Sequence, residues 1–313
     1  MFPFPNIEKL TLVAPLGLCF HDAATGERVT DGLSVSVYPA RQTVWKKRTE
    51  AFPNRSGVYV LHKADGLEEF TRGDGSAEFW ESYKNRKKTF IAEVTDNERR
   101  FQPFRLEVEL PVEGIYRWKN IPPVSPAKDL SSIPLYSAPT RKPLGAAAMI
   151  RAELHESKDK PASFAVLEAF FSGSLVARGI ADRQGRIVLM FPALSPQNNP
   201  FTSPPSDATR VTLAEQQWAL DLAIKYEPAK VFEVSSPPSS PPVSGEETEE
   251  FLPDLKRVLE QRNGTLWADA AKTESFTTAV LKVGRELILR SREASNLSPA
   301  VETASSYLFV SPA

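Results

Sequence analysis

Three histidines, His21, His62 and His155, are the side chains in this chain best suited to acid–base chemistry. General acid–base catalysis needs such a group at a fixed position, and zinc sites need several His or Cys residues at short spacings. His21 and His155 each stand at a predicted strand end beside a turn, and His62 lies in or at the end of a strand. None has a second histidine at metal-ligand spacing. We therefore interpret all three as turn or strand-surface residues and expect no bound metal.

The one cysteine, Cys19, lies in an apolar run over residues 10–19. This setting is typical of a small buried hydrophobic residue and not of a thiol with a lowered pKa. The sequence also contains no GxSxG, Walker A or GxGxxG motif. We expect no catalytic residue, no cofactor and no enzyme activity, although an active site assembled from distant residues stays open as an alternative.

Composition excludes several classes of partner. The net charge of −1 lacks the basic excess typical of nucleic-acid-binding proteins, so we expect no nucleic-acid partner. A basic run at 85–88 follows Trp80 and Tyr83, and we interpret it as a solvated loop. No run reaches the roughly 20 apolar residues of a membrane helix, and the first 20 residues lack a basic signal-peptide region. A single cysteine permits no intrachain disulfide, which suits the cytoplasm.

Short alternating segments separated by turn residues predict a mainly β fold. Over residues 1–118 they indicate a first β-sandwich, including a hairpin of 90–94 and 104–110 around a polar turn at Asp96 and Asn97. Only residues 76–84 have weak helical character there. The chain contains 27 prolines, and residues 119–145 are predicted to be a stiff, proline-rich connection between domains.

A second β-sandwich is predicted over residues 146–234. Its strands are expected at 149–154, 165–171, 186–191 and within 212–227, where period-2 alternation outweighs a helical alternative. The strand at 186–191 follows a turn in which Asp182 can bond its own backbone and Gly185 can adopt a positive φ. It alternates Ile187, Leu189 and Phe191 against Arg186, Val188 and Met190, so one face is more apolar than the other.

The remainder of the chain divides into two parts. Residues 235–250 are rich in Pro and Ser and then acidic, which predicts a protease-sensitive linker or surface loop. Residues 251–313 are predicted to contain a short helix and C-terminal strands, which either complete a sandwich or dock on a partner.

The final segment, 306–313, is the candidate protein interface. Both faces of this predicted strand are largely apolar, and an exposed strand of that kind would promote aggregation in a free monomer. We therefore propose Tyr307, Leu308, Phe309 and Val310 as an assembly strand that adds to the sheet of a neighbour. An ordinary last strand of its own domain is the alternative.

Several segments resemble known protein types. Residues 179–189, GIADRQGRIVL, resemble a turn and strand of transthyretin-like, carboxypeptidase-regulatory-like β-sandwiches. Residues 22–38 and 155–170 share a layout that suggests a tandem repeat.

A second resemblance is to a protein type associated with contractile injection systems, which are phage-tail-like particles. The segments that carry it are, in this order, LGLCFHDAATGERVTDGLSVSVYPA, PNRSGVYVLH, PLYSAPTRKPLG and GIADRQGRIVLMFP. That resemblance implies a structural component at the cap or terminator end of the tube and sheath, or in the baseplate. Its partners would be copies of itself and neighbouring tube, sheath or cap proteins, and it implies no catalytic residues.

A binding module for carbohydrate or another small ligand is the rival function. It would need exposed aromatic side chains on a sheet face, for which Trp45, Trp80 and Trp118 are the candidates. The sequence therefore favours a non-catalytic assembly protein and keeps a ligand-binding module as the alternative.

Overall fold

The computed structural model describes residues 13–40, 48–70, 73–118, 131–145, 147–193, 217–232, 252–293, 303–304 and 307–313. It is mainly β with several antiparallel sheets, which confirms the predicted fold class. We call described residues 13–145 the first module, and described residues 147–232 and 252–313 the second module. Trp45 and residues 119–130 and 235–250 lie outside the described residues, so the predictions made for them stay predictions.

The first module contains nine strands and one helix among the described residues. They are β1 (Leu16–Leu18), β2 (Phe20–Asp22), β3 (Arg28–Val29), β4 (Leu33–Pro39), β5 (Thr49–Pro53), β6 (Tyr59–Leu61), α1 (Ala77–Tyr83), β7 (Lys88–Asp96), β8 (Phe104–Leu110) and β9 (Ile133–Leu135).

The second module contains the remaining described elements. They are β10 (Ala147–Ser157), β11 (Lys160–Pro161), β12 (Val166–Phe171), β13 (Ser174–Ile180), β14 (Arg186–Pro192), β15 (Gln217–Lys225), α2 (Pro228–Phe232), α3 (Leu255–Leu259), β16 (Thr265–Trp267), β17 (Thr278–Lys282), β18 (Leu287–Ile288), β19 (Arg292–Glu293), β20 (Thr303–Ala304) and β21 (Leu308–Ser311).

The large sheet of the first module is antiparallel, with strand order β1-β6-β5-β4-β7-β8. Alternate residues of the long strands β7 and β8 face one core: in β8, Phe104, Leu106, Val108 and Leu110 are buried, whereas Glu107 and Glu109 are exposed. This is the period-2 pattern of a sheet with one face on the core and one face toward water.

A second, three-stranded sheet closes the first module. β2 pairs with β3 and, in parallel, with β9, so that Phe20 lies opposite Ile133. Ile133 and Leu135 are fully buried in the first-module core. The described part of the predicted connection is therefore not a free-standing spacer, because residues 133–135 supply a strand of the first module.

The predicted β7–β8 hairpin is confirmed, and Asp96 organises its turn. The Asp96 carboxylate accepts hydrogen bonds from the backbone N–H of Arg100 (2.5 Å) and from the Arg100 guanidinium (3.0–3.3 Å). Burial alone would raise the pKa of this carboxyl, but the Arg100 side chain and the backbone donors hold the pKa of Asp96 below its ordinary value.

This hairpin predicts an acid-sensitive contribution to stability. Because the pKa of Asp96 is lowered by folding, its stabilisation is present above the unfolded-state pKa of about 4 and is lost as the pH falls through the lower folded value. In Asp96→Asn we expect a lower melting temperature at pH 7 and a smaller difference from the wild type below about pH 3. Thermal unfolding of both proteins between pH 2.5 and 7 measures this. A difference that does not shrink in acid would contradict the assignment to the ionised carboxylate.

Two sheets enclose the core of the second module. One has the strand order β13-β12-β15-β17, and the other has β11-β10-β21-β16, with β14 and β18 also paired to the long strand β10. The predicted strand in 212–227 is confirmed as β15, whose buried residues are Trp218, Leu220, Leu222 and Ile224. All four belong to the second-module core.

The turn before β14 has the predicted chemistry. Asp182 Oδ1 accepts the backbone N–H groups of Gln184 and Arg186, each at 2.9 Å. Gly185 has a φ of +80°, and a Cβ built there would lie 2.2 Å from the Leu154 carbonyl oxygen. Any other residue at 185 would be strained both in its backbone and against β10.

Both faces of β14 are buried, which goes beyond the sequence prediction. Ile187, Leu189 and Phe191 face the core of the second module. Val188 and Met190 face the other way, where they pack with Met149 and with Ala24 of the first module. The second face is thus buried partly by contact between the modules.

Candidate functional site

The C-terminal strand β21, proposed above as an assembly strand, lies inside its own sheet. It pairs in parallel with β10, where Leu154 lies opposite Leu308, and antiparallel with β16, where Leu266 lies opposite Val310. Leu308, Phe309 and Val310 are between 0% and 2% exposed, and Tyr307 is half-buried. The alternative, an ordinary last strand, is the one observed, because both edges of β21 are occupied by this chain. The strands β16, β17 and β21 accordingly belong to the sheets of the second module.

The three histidines have different partners. His21 Nδ1 lies 2.7 Å from Ser132 Oγ, and His62 is exposed just after β6. The His155 ring stacks on Tyr307 with centroids 4.3 Å apart and places Nε2 3.0 Å from Glu153 Oε1. His155 therefore supports the start of the last strand.

Cys19 is buried, as expected. Its exposed fraction is 1%, and the Arg28 guanidinium donates to Sγ at 2.9 Å. Within the described ranges, no group of three or more His, Cys, Asp and Glu side chains is arranged to hold a metal ion. Of the helices in the same ranges, none is long and apolar enough to cross a membrane.

Of the three aromatic side chains considered for carbohydrate binding, Trp80 and Trp118 are described, and neither is displayed on an exposed sheet face. Trp118 is 8% exposed and belongs to the first-module core. Trp80 lies on helix α1, where its ring packs 5.3 Å from the buried Phe70 ring. The Trp80 and Trp118 rings thus do not form the open platform that the ligand-binding alternative requires.

The contact between the two modules, which we call the joint, combines apolar packing with buried charged side chains. Its apolar part brings Phe104 and Tyr136 of the first module against Phe164, Ile180 and Val258 of the second, and these residues line one small cavity. Phe164, Ile180 and Val258 belong to the same buried cluster as the core of the first module. The core of the first module therefore extends across the joint to these side chains of the second module, whose own core is a separate cluster.

A buried ion pair lies at one side of the joint. Both guanidinium NH₂ groups of Arg141 donate to the carboxylate of Asp22, at 3.0 and 2.5 Å, and each side chain is 7% exposed. Arg141 also donates to Ser137 Oγ and lies over the Phe101 ring, 4.8 Å from its centroid. Removing two charges from water costs desolvation free energy. The bidentate geometry and the additional hydrogen bond to Ser137 offset this cost.

The Asp22–Arg141 pair continues into the second module. Arg151 on β10 donates to the backbone carbonyls of Pro139 and Arg141 and pairs with Glu286. Through these bonds the segment that carries Arg141 is attached both to β2 and to β10. The network fixes the path of the chain between the modules.

A second group of buried charges also contacts the joint. Glu168 on β12 accepts from Arg178 (2.7 Å) and Lys225 (3.1 Å), and the Arg178 and Glu168 side chains are 4% and 6% exposed. The Tyr136 phenol of the first module contacts Arg178, and burial raises the pKa of this phenol. Burial alone would lower the pKa of Arg178, but Tyr136 and Glu168 hold it above its ordinary value. The Arg178 charge is thus balanced within the joint.

The joint was not predicted from the sequence. Glu168 gave one usable signal, because it interrupts the apolar run 165–171, and a charge in such a run must be paired when buried. Asp22 gave none, since it reads as an ordinary turn residue and its partner lies 119 positions away.

The chain was compared with protein-family models, with curated proteins and with solved structures, and no match was found in any of the three comparisons.

Proposed function

We propose that the chain is a non-catalytic structural component of a contractile injection particle, made in the cytoplasm and incorporated at the cap or terminator end. The observation that carries this proposal is the joint, which holds two β modules in one orientation through buried apolar contacts and two buried charge networks. A component that links copies of itself to tube, sheath or cap proteins needs such a fixed geometry between its parts.

The segments that resemble the contractile-injection protein type support the proposal by their location. Residues 16–40 include Asp22 and Ala24, and residues 134–145 include Tyr136 and Arg141. Residues 179–192 include Ile180, Val188 and Met190. Three of the four resembling segments thus contribute side chains to the joint.

The composition of the joint supports a permanent contact between the modules. Separating them would expose apolar residues that are almost fully buried, among them Ile180 and Val188, and would break the contact of Tyr136 with Arg178. Interfaces of this kind, apolar at the centre with satisfied polar groups around it, are typical of fixed assemblies rather than mobile hinges.

The experiment is to locate the chain in particles purified from the cells that produce it. We expect mass spectrometry to detect the chain in the same fractions as sheath and tube proteins, and gold-labelled antibody to mark one end of the particle in negative-stain images. Labelling at the baseplate end would overturn the cap assignment. Absence of the chain from intact particles would overturn the proposal as a whole.

A matched pair of variants tests whether the joint matters for incorporation. Arg141→Met breaks the buried pair with Asp22, whereas Arg186→Met breaks an exposed pair with Asp182, in which Arg186 is 52% exposed. We expect reduced incorporation for Arg141→Met and normal incorporation for Arg186→Met. Equal incorporation of the two variants would show that incorporation into the particle does not depend on the Asp22–Arg141 pair of the joint.

A further inference from the structure

Helix α3 belongs to the second module in sequence but to the first in packing. It follows all strands from β10 to β15 and precedes β16. Its apolar side chains Leu255, Val258 and Leu259 are 0–5% exposed and lie in the same buried cluster as the first-module strands. The segment 252–262, which we call the strap, therefore crosses from one module to the other and back.

The first end of the strap is attached to the first module. The backbone N–H of Arg105 on β8 donates to the Pro253 carbonyl at 2.9 Å. Asp254 caps α3 by accepting the Arg257 backbone N–H at 3.0 Å, and its charge, together with burial, raises the pKa of Tyr116 in the first module. The strap thus extends the edge of the large sheet at β8.

The other end of the strap is attached to the second module through Gln261, which is 4% exposed. Its Nε2 donates to the Phe164 carbonyl at 2.8 Å, and its Oε1 accepts the Glu227 backbone N–H at 2.8 Å. Phe164 has a φ of +61°, a conformation that a bulky residue rarely adopts. The Gln261 bond therefore secures a strained turn that lines the joint.

We propose that the strap is a coupling device that makes the two modules open and unfold as one unit. The reason is geometric: the same short segment supplies core side chains to the first module and hydrogen bonds to two turns of the second. Neither module can lose its native packing without losing contacts of the strap, and loss of the strap removes part of both.

Hydrogen exchange followed by mass spectrometry on the full chain tests this coupling. Leu281→Ala creates a cavity in the second-module core, where Leu281 is 1% exposed and far along the chain from β7 and β8. If the strap couples the modules, this variant should raise exchange at β7 and β8 by about tenfold or more, since a buried Leu→Ala change shifts the unfolding equilibrium by at least that factor.

The effect of Leu281→Ala on hydrogen exchange is then measured in a chain whose strap is weakened by Leu255→Ala together with Gln261→Ala. There we expect the effect of Leu281→Ala to stay in the second module and to change exchange at β7 and β8 by less than about threefold. If the double variant does not fold, Gln261→Ala alone serves, with an intermediate loss of coupling expected.

Two results would overturn the proposal. One is an effect of Leu281→Ala that stays in the second module when the strap is intact. The other is an undiminished effect at β7 and β8 after the strap is weakened, which would assign the coupling to the ion pairs of the joint. Because the purified chain is used alone, neither result depends on whether the chain belongs to a particle.

Discussion

Removal of residues 307–313 is expected to unfold the second module. β21 is an interior strand, so its loss would leave β10 and β16 without their shared partner. It would also remove Leu308, Phe309 and Val310 from the core, each worth about 1.5–3 kcal/mol of burial. Together these losses approach the net stability of a typical domain, about 5–15 kcal/mol.

Circular dichroism and thermal unfolding of the truncated chain measure this effect. Because the strap couples the two modules, we expect neither module to show a cooperative transition, and we expect the truncated chain to aggregate on purification. The control is deletion of residues 312–313 alone, which are exposed and contribute one backbone hydrogen bond, from Ala313 N–H to the Tyr226 carbonyl. That shorter deletion should lower the melting temperature only slightly. A truncated chain that folds normally but fails to assemble would restore the assembly-strand hypothesis for residues 307–310.

Breaking the buried ion pair in the joint has the second largest expected effect. Arg141→Met leaves the Asp22 carboxylate buried without its cation, although the Ala24 backbone N–H still donates to it at 2.8 Å. Removing one partner of a buried pair typically costs about 3–5 kcal/mol. We expect a loss of that size in the free energy of unfolding, measured by chemical denaturation at pH 7.

The exposed Arg186–Asp182 pair provides a control of the same chemistry. Arg186→Met should lower the free energy of unfolding by about 0–1 kcal/mol. In this pair the Arg186 side chain is largely hydrated, so pairing with Asp182 adds little stability beyond what water already provides. The double variant Asp22→Ala with Arg141→Met removes both buried charges and should recover part of the loss seen in Arg141→Met alone. Equal losses for Arg141→Met and Arg186→Met would mean that the joint is open to water in solution.

Local interactions explain why much of the fold could be predicted from the sequence. Alternation along 104–110 and 217–225 identifies β8 and β15, since the side chains of a strand point to opposite faces. The turn at 182–185 could be predicted because Asp182 bonds to its own neighbours and Gly185 needs a left-handed φ. In the turn, the partners of each residue are a few positions away, and in the strands the alternation itself can be seen without knowing the partner strand.

The location of β21, by contrast, was decided by the tertiary structure. An apolar strand at the end of a chain can add to a neighbour or complete its own sheet, and both solutions bury the same side chains. In the structure β21 lies between β10 and β16 and pairs with both. The residues of those strands that it pairs with, Leu154 and Leu266, are more than 100 positions apart in the sequence.

The joint was also decided by the tertiary structure. Val188 and Met190 are buried because Ala24 and Met149 pack against them, and Asp22 is paired in its buried position by Arg141, 119 positions away. Periodicity tells which residues share a face of a strand, but it carries no information about what covers that face. The sequence by itself therefore determined the strands, their inward faces and the tight turns, whereas contacts between distant segments determined which outward faces and charges became buried.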